Sequence, residues 1–200
     1  MATAAAVLVM GLACGGEEDI PHSAPPHAAD LTAVPAGVRW QVYQGVLVPG
    51  GEDGPATTGS AAATGFRQTP PGAALAAIVH TIRMSLAPDA DWVDIARYEL
   101  AFGPGKDEWV TSRGLLSIQS PADPAQAPRV RGYTITDYSP TRAGVDIYTS
   151  FPDQSIAVNT ATVVWLAGDW WLQLPDPTST DPVVRVAATM DAAVKLEASQ

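Results

Sequence analysis

Residues 155–175, SIAVNTATVVWLAGDWWLQLP, decide how the rest of the chain has to be arranged. Side chains alternate along a strand, and glycine at the first position of a two-residue loop suits a II′ turn. A turn on Gly168-Asp169 pairs Ala167 with Trp170, Trp165 with Leu172 and Val163 with Leu174. That register puts Ala161, Val163, Trp165, Trp170, Leu172 and Leu174 on one face. The other face keeps Val164, Leu166 and Trp171 among Thr160, Thr162 and Gln173. The first face is a core face and requires a cover.

The cover is found upstream. Thr69 is a sound N-cap, and Pro70 and Pro71 fit the first turn of a helix, where a missing N–H does no harm. Leu75, Ile78, Val79, Ile82 and Leu86 then form one apolar stripe. His80 lies off that stripe, which favours an exposed or edge histidine over a pocket acid or base. Pro88 ends this helix. A second is expected after Asp89 or Asp91, burying Trp92, Ile95, Ala96 and Leu100. A third, weaker one is expected over 106–118 around Trp109, Val110, Leu115 and Leu116. Asp89, Asp91 and Asp94 lack the further oxygen ligands and turn glycine of a calcium loop.

Residues 36–49, AGVRWQVYQGVLVP, read as a first strand in which Gln44 alone breaks the alternation. Residues 50–65 read as a mobile Gly/Ala/Thr loop. Strands over 129–138 and 144–151 lead through Phe151-Pro-Asp-Gln-Ser155 into the final hairpin, completing a four-stranded antiparallel meander. A helical tail with no evident partner is expected over 183–200.

The 200 residues carry a net charge of −10, and the nine arginines and two lysines are scattered. Binding to phosphates needs a basic face, so direct nucleic-acid binding is not expected. The first 16 residues, MATAAAVLVMGLACGG, are uncharged and mostly apolar. They read as a membrane anchor, as a cleaved or lipidated signal, or as a cytosolic helix. The Leu12-Ala13-Cys14 ending resembles a lipoprotein processing site and makes Cys14 the candidate lipidation residue, although Gly11 departs from the usual Leu, Val or Ile. Residues 17–35 are a Pro/Ala-rich linker. Its His22 and His27 read as solvated, because a metal site needs further ligands on a fixed scaffold.

No zinc-protease helix, nucleophile elbow, dinucleotide fingerprint or Cys/His cluster is present, so no catalytic residue, metal site or cofactor is expected. The GPGK at 103–106 lacks the spacing and hydroxyl of a phosphate loop. Trp171, on the less apolar face, is the tryptophan placed to meet a partner or line a pocket, together with His80 as a candidate pocket contact.

Helices followed by a meander, ending in Trp165-Leu-Ala-Gly-Asp-Trp170-Trp-Leu172, resemble the NTF2-like (cystatin-like) superfamily. That resemblance implies an α+β cone, with about three N-terminal helices packed on a curved antiparallel sheet of four to five strands. A closer resemblance rests on Gly37-Val-Arg-Trp40-Gln-Val-Tyr43-Gln-Gly45-Val46, Gly65-Phe66, Thr69-Pro-Pro-Gly-Ala-Ala-Leu75 and Phe151-Pro-Asp. These are similar to an actinobacterial, conjugative-element-associated family of membrane-anchored proteins. Gln154 departs from it where glycine is usual. The resemblance implies a plan of anchor or signal (1–16), linker (17–35), NTF2-like domain (36–176) and C-terminal tail (177–200).

The function implied is a non-enzymatic, membrane-tethered domain outside the cytoplasmic membrane, engaging protein partners of a conjugation or envelope complex. The alternatives are a small-molecule-binding or enzymatic NTF2-like domain using the cone pocket, and a secreted or lipidated protein unrelated to DNA transfer.

Overall fold

The computed structural model describes residues 28–59 and 62–197. The 1–16 segment with Cys14, and the linker's His22 and His27, lie outside the described residues.

The described chain opens on a hairpin of β1 (Arg39–Tyr43) and β2 (Val46–Gly50). Its turn residues Gln44 and Gly45 both have positive φ, 48° and 83°, as a I′ turn requires. What reads as one strand over 36–49 is therefore two, and the residue that breaks the alternation is the turn. A second short pair follows, β3 (Thr57–Thr58) with β4 (Ala63–Thr64).

Helix α1 (Pro70–Leu86) begins at Thr69, whose Oγ1 accepts from the Gly72 N–H at 3.1 Å and donates to Asp53 at 2.8 Å. Helix α2 (Trp92–Tyr98) packs on α1, and α3 (Pro104–Arg113) packs on α2. The third helix stops before Gly114, so Leu115 and Leu116 contribute to no helix face and stand 85% and 60% exposed.

Strands β5 (Arg129–Ser139), β6 (Arg142–Ser150), β7 (Ile156–Leu166) and β8 (Asp169–Gln173) run as an antiparallel meander. The last turn falls on Ala167-Gly168, with φ of 50° and 85°, and pairs Trp165 with Trp170 and Val163 with Leu172. This differs by two residues from the register read off the sequence. Because side chains repeat every two residues, the slip leaves the same residues on the core face. The tail adds β9 (Val184–Ala187) beside β7 and β10 (Val194–Lys195) beside β5, making six strands. Between them, residues 188–193 cross the face turned away from α1, where Met190 and Ala192 pack with Tyr148 and Val158.

This is not the NTF2-like cone. A layer of three N-terminal helices packed on a sheet of four to five strands is not seen. Two hairpins precede the helices, all three helices are short, and the sheet has six strands. Helix α1 is a central rod: Pro71 through His80 are buried around its whole circumference. A helix apolar on all sides needs cover on more than one side. Strands β5–β8 cover one side and β2 contributes to the other, with Val48, Ala63 and Phe66 joining Leu75, Ile78 and Trp170 in one core.

Candidate functional site

Two carboxylates fasten the segment between the hairpins and α1. Asp169, directly after the β7–β8 turn, accepts from the Gly65 N–H at 2.7 Å and the Phe66 N–H at 3.0 Å. The segment expected to be a mobile loop is thus pinned at its C-terminal end. Glu99 follows α2 and runs alongside β8: the Leu172 N–H donates to the Glu99 carbonyl, and the Ala101 N–H to the Leu172 carbonyl, both at 2.8 Å. This pairing turns the Glu99 side chain inward, where it is 0% exposed.

The buried Glu99 carboxylate joins three elements. Its Oε1 accepts from the Ala63 N–H of β4 at 2.9 Å and from Arg83 Nε of α1 at 2.6 Å. Its Oε2 lies 2.9 Å from Nδ1 of His80, one turn earlier on α1, and His80 Nε2 donates to the Trp170 carbonyl at 3.0 Å. The proton arithmetic is tight. A carbonyl can only accept, so Nε2 bears hydrogen, and one further proton must lie between Oε2 and Nδ1. Phe66 closes over the imidazole edge-on, with ring centroids 5.1 Å apart. His80 is therefore 1% exposed and neither an edge nor a surface residue. It lies off the long stripe, but the opposite side of α1 is also interior.

Beside this network, and not including His80 or Glu99, a cleft of about 250 Å³ opens between the β1–β2 hairpin and the β3–β4 lip. Arg39, Gln41, Tyr43, Thr58, Ala63, Val79 and Arg83 are among its walls. The Arg83 guanidinium lies 4.4 Å from the centre of the Tyr43 ring. Burial pushes the Tyr43 phenol up to about 12 against the pull of that cation, and its buried hydroxyl has no hydrogen-bond partner among the described residues.

Trp171 belongs to a different place. Successive residues of β8 point to opposite faces, so Trp170 enters the core while Trp171 faces outward. Its Nε1 donates to the Leu166 carbonyl at 2.9 Å, and its ring stacks on Phe102, with centroids 6.5 Å apart and planes 22° from parallel. Phe102 is 80% exposed, and Lys106 Nζ lies 4.6 Å from its centre. Partial burial lowers the Lys106 amine below its ordinary value. His80 and Trp171 therefore do not form one site. Among the described residues no group of three or more His, Cys, Asp or Glu is placed to hold a metal.

Sequence reasoning missed Glu99, Arg83 and Asp169. The available signal was the spacing of His80 and Arg83, three apart and so on one helix face. Nothing in the spacing of Glu99 foretells its burial.

A family model described as a domain of unknown function, DUF8175, matches residues 11–194. The chain belongs to this family. The DUF8175 match runs from ahead of the described residues to Val194, the first residue of β10, and so takes in β9. No curated protein and no solved structure matches this DUF8175 chain. Among its described residues, no helix is long and apolar enough to cross a membrane.

Proposed function

We propose that this chain is a non-enzymatic interaction domain, tethered through its N-terminal segment outside the cytoplasmic membrane and serving a conjugation or envelope complex. The observation that supports this reading is the outward aromatic step of Phe102 on Trp171. A large aromatic that is mostly exposed, backed by a second ring and flanked by an amine, has the composition of an interface anchor. The buried ionisable groups favour the same reading. Glu99 is engaged by donors from β4 and α1, which makes the network a clamp between elements. The resemblance of residues 37–46 and 69–75 to an actinobacterial conjugation-associated family supplies the tether and the class of partner.

The test is a photo-crosslinking residue at position 102 of the full chain in its native host, with a control at Thr178. Adducts with membrane-complex proteins at 102 alone, lost in Trp171→Ala, are expected. A chain recovered from the soluble cytoplasmic fraction, or equal labelling at both positions, would overturn the reading.

A further inference from the structure

The cleft between the hairpins has a charge pattern unlike that of the whole protein. The chain bears −10 overall, yet the charged residues lining the cleft are Arg39 and Arg83, with no acid among them. Arg83 is matched by Glu99 at 2.6 Å. Arg39 at the rim makes no side-chain hydrogen bond or ion pair among the described residues, and neither do the Gln41 and Thr58 side chains. Arg39 is therefore a cation without a partner among the described residues, beside an amide and a hydroxyl that can donate. Val48, Pro49, Pro55 and Val79 make up the apolar part of the wall, and Tyr43 also lines it.

We infer that this cleft binds a small organic monocarboxylate, its carboxylate on Arg39 with Gln41 and Thr58 and its apolar body against Val48, Pro55 and Val79. A planar guanidinium matches a carboxylate in a two-point contact. The apolar part of the wall favours an organic monoanion over phosphate. Size limits the body: a cavity of roughly 150 Å³ holds benzene, so a cleft of about 250 Å³ has room for one ring and its carboxylate. The inference does not rest on the interaction reading, because Phe102 and Trp171 lie outside this cleft.

Ligand-observed NMR and calorimetry on the full chain, with benzoate and cyclohexanecarboxylate as probes, test it. Both are expected to bind more tightly than their neutral amides, with amide shifts at Gln41, Thr58 and Val79. Arg39→Gln should weaken binding by about tenfold or more without moving Tm, since the side chain holds nothing in the fold. Thr58→Val should give a smaller loss. The assignment is overturned by equal binding of benzoate and benzamide, or by an Arg39→Gln protein that binds as before. Tighter binding of inorganic phosphate, or no binding of either carboxylate up to about 10 mM, would also overturn it.

Discussion

His80 and Glu99 meet at 2.9 Å inside the protein, 19 residues apart in the chain and both out of reach of water. Their contact joins α1 to the segment beside β8, and Glu99 extends it to β4. Removing the carboxylate strands a buried guanidinium and a buried imidazole together. Glu99→Ala is expected to lower the unfolding free energy by about 3–5 kcal/mol. Glu99→Gln should cost less, because its amide oxygen still accepts from Ala63 and Arg83 while its NH₂ can donate to Nδ1. Urea unfolding of the two variants checks the order, and equal losses would contradict it.

Three turns hold non-glycine residues at positive φ, Gln44 at 48°, Ala167 at 50° and Gln154 at 68°. Left-handed backbone costs an ordinary L-residue about 1 kcal/mol or more, and asparagine or glycine less. Ala167→Asn creates the Asn-Gly pair preferred by I′ turns and should stabilise by about 0.5–1 kcal/mol. Gln154→Gly should act in the same direction, since the Gln154 N–H already closes the turn onto the Phe151 carbonyl at 2.9 Å. Thermal melts of each variant read this directly, and a lower Tm in both would show that the strain is absent.

Gly132 has no room for a side chain. A Cβ there would meet the Val194 carbonyl at 2.3 Å and the Ala192 Cβ at 2.8 Å. Gly132→Val is therefore expected to lift β10 and the 188–193 crossing off the sheet. Limited proteolysis followed by mass spectrometry should show faster cutting within residues 188–195 in the variant than in the parent.

Asp89 is the carboxylate to watch in acid. The Ile118 N–H, Arg113 and Ser117 all donate to it, and together, led by the backbone N–H, they hold it down at about 2. An unfolded aspartate titrates near ~3.9, so Asp89 favours the fold above that pH. The contribution is lost as pH falls through the folded value. Denaturation midpoints followed from pH ~5 to ~2 should fall less steeply in Asp89→Asn than in the parent. Parallel curves would refute the linkage.

Local chemistry was legible where one residue decides it. Thr69 with Pro70 and Pro71 places the start of α1, and the alternation of 161–174 places the core face of the last hairpin even though the turn lies one residue earlier and the pairing shifts by two. What failed was the count of elements. Gln44-Gly45 is a I′ turn without the asparagine that would announce one, so a hairpin reads as a strand. β3, β4 and β10 are two residues each, too short to show a period. With those strands unseen, the order of helices and strands resembles a cone that does not form. The buried network was hidden for a related reason. Burial of Glu99 is decided by its pairing with Leu172, 73 positions away, which no local pattern encodes.

The six-stranded sheet takes one edge strand on each side from the stretch that follows the β7–β8 hairpin, β9 beside β7 and β10 beside β5. A polypeptide emerging N-terminus first therefore completes both edges of this sheet only once Lys195 has followed.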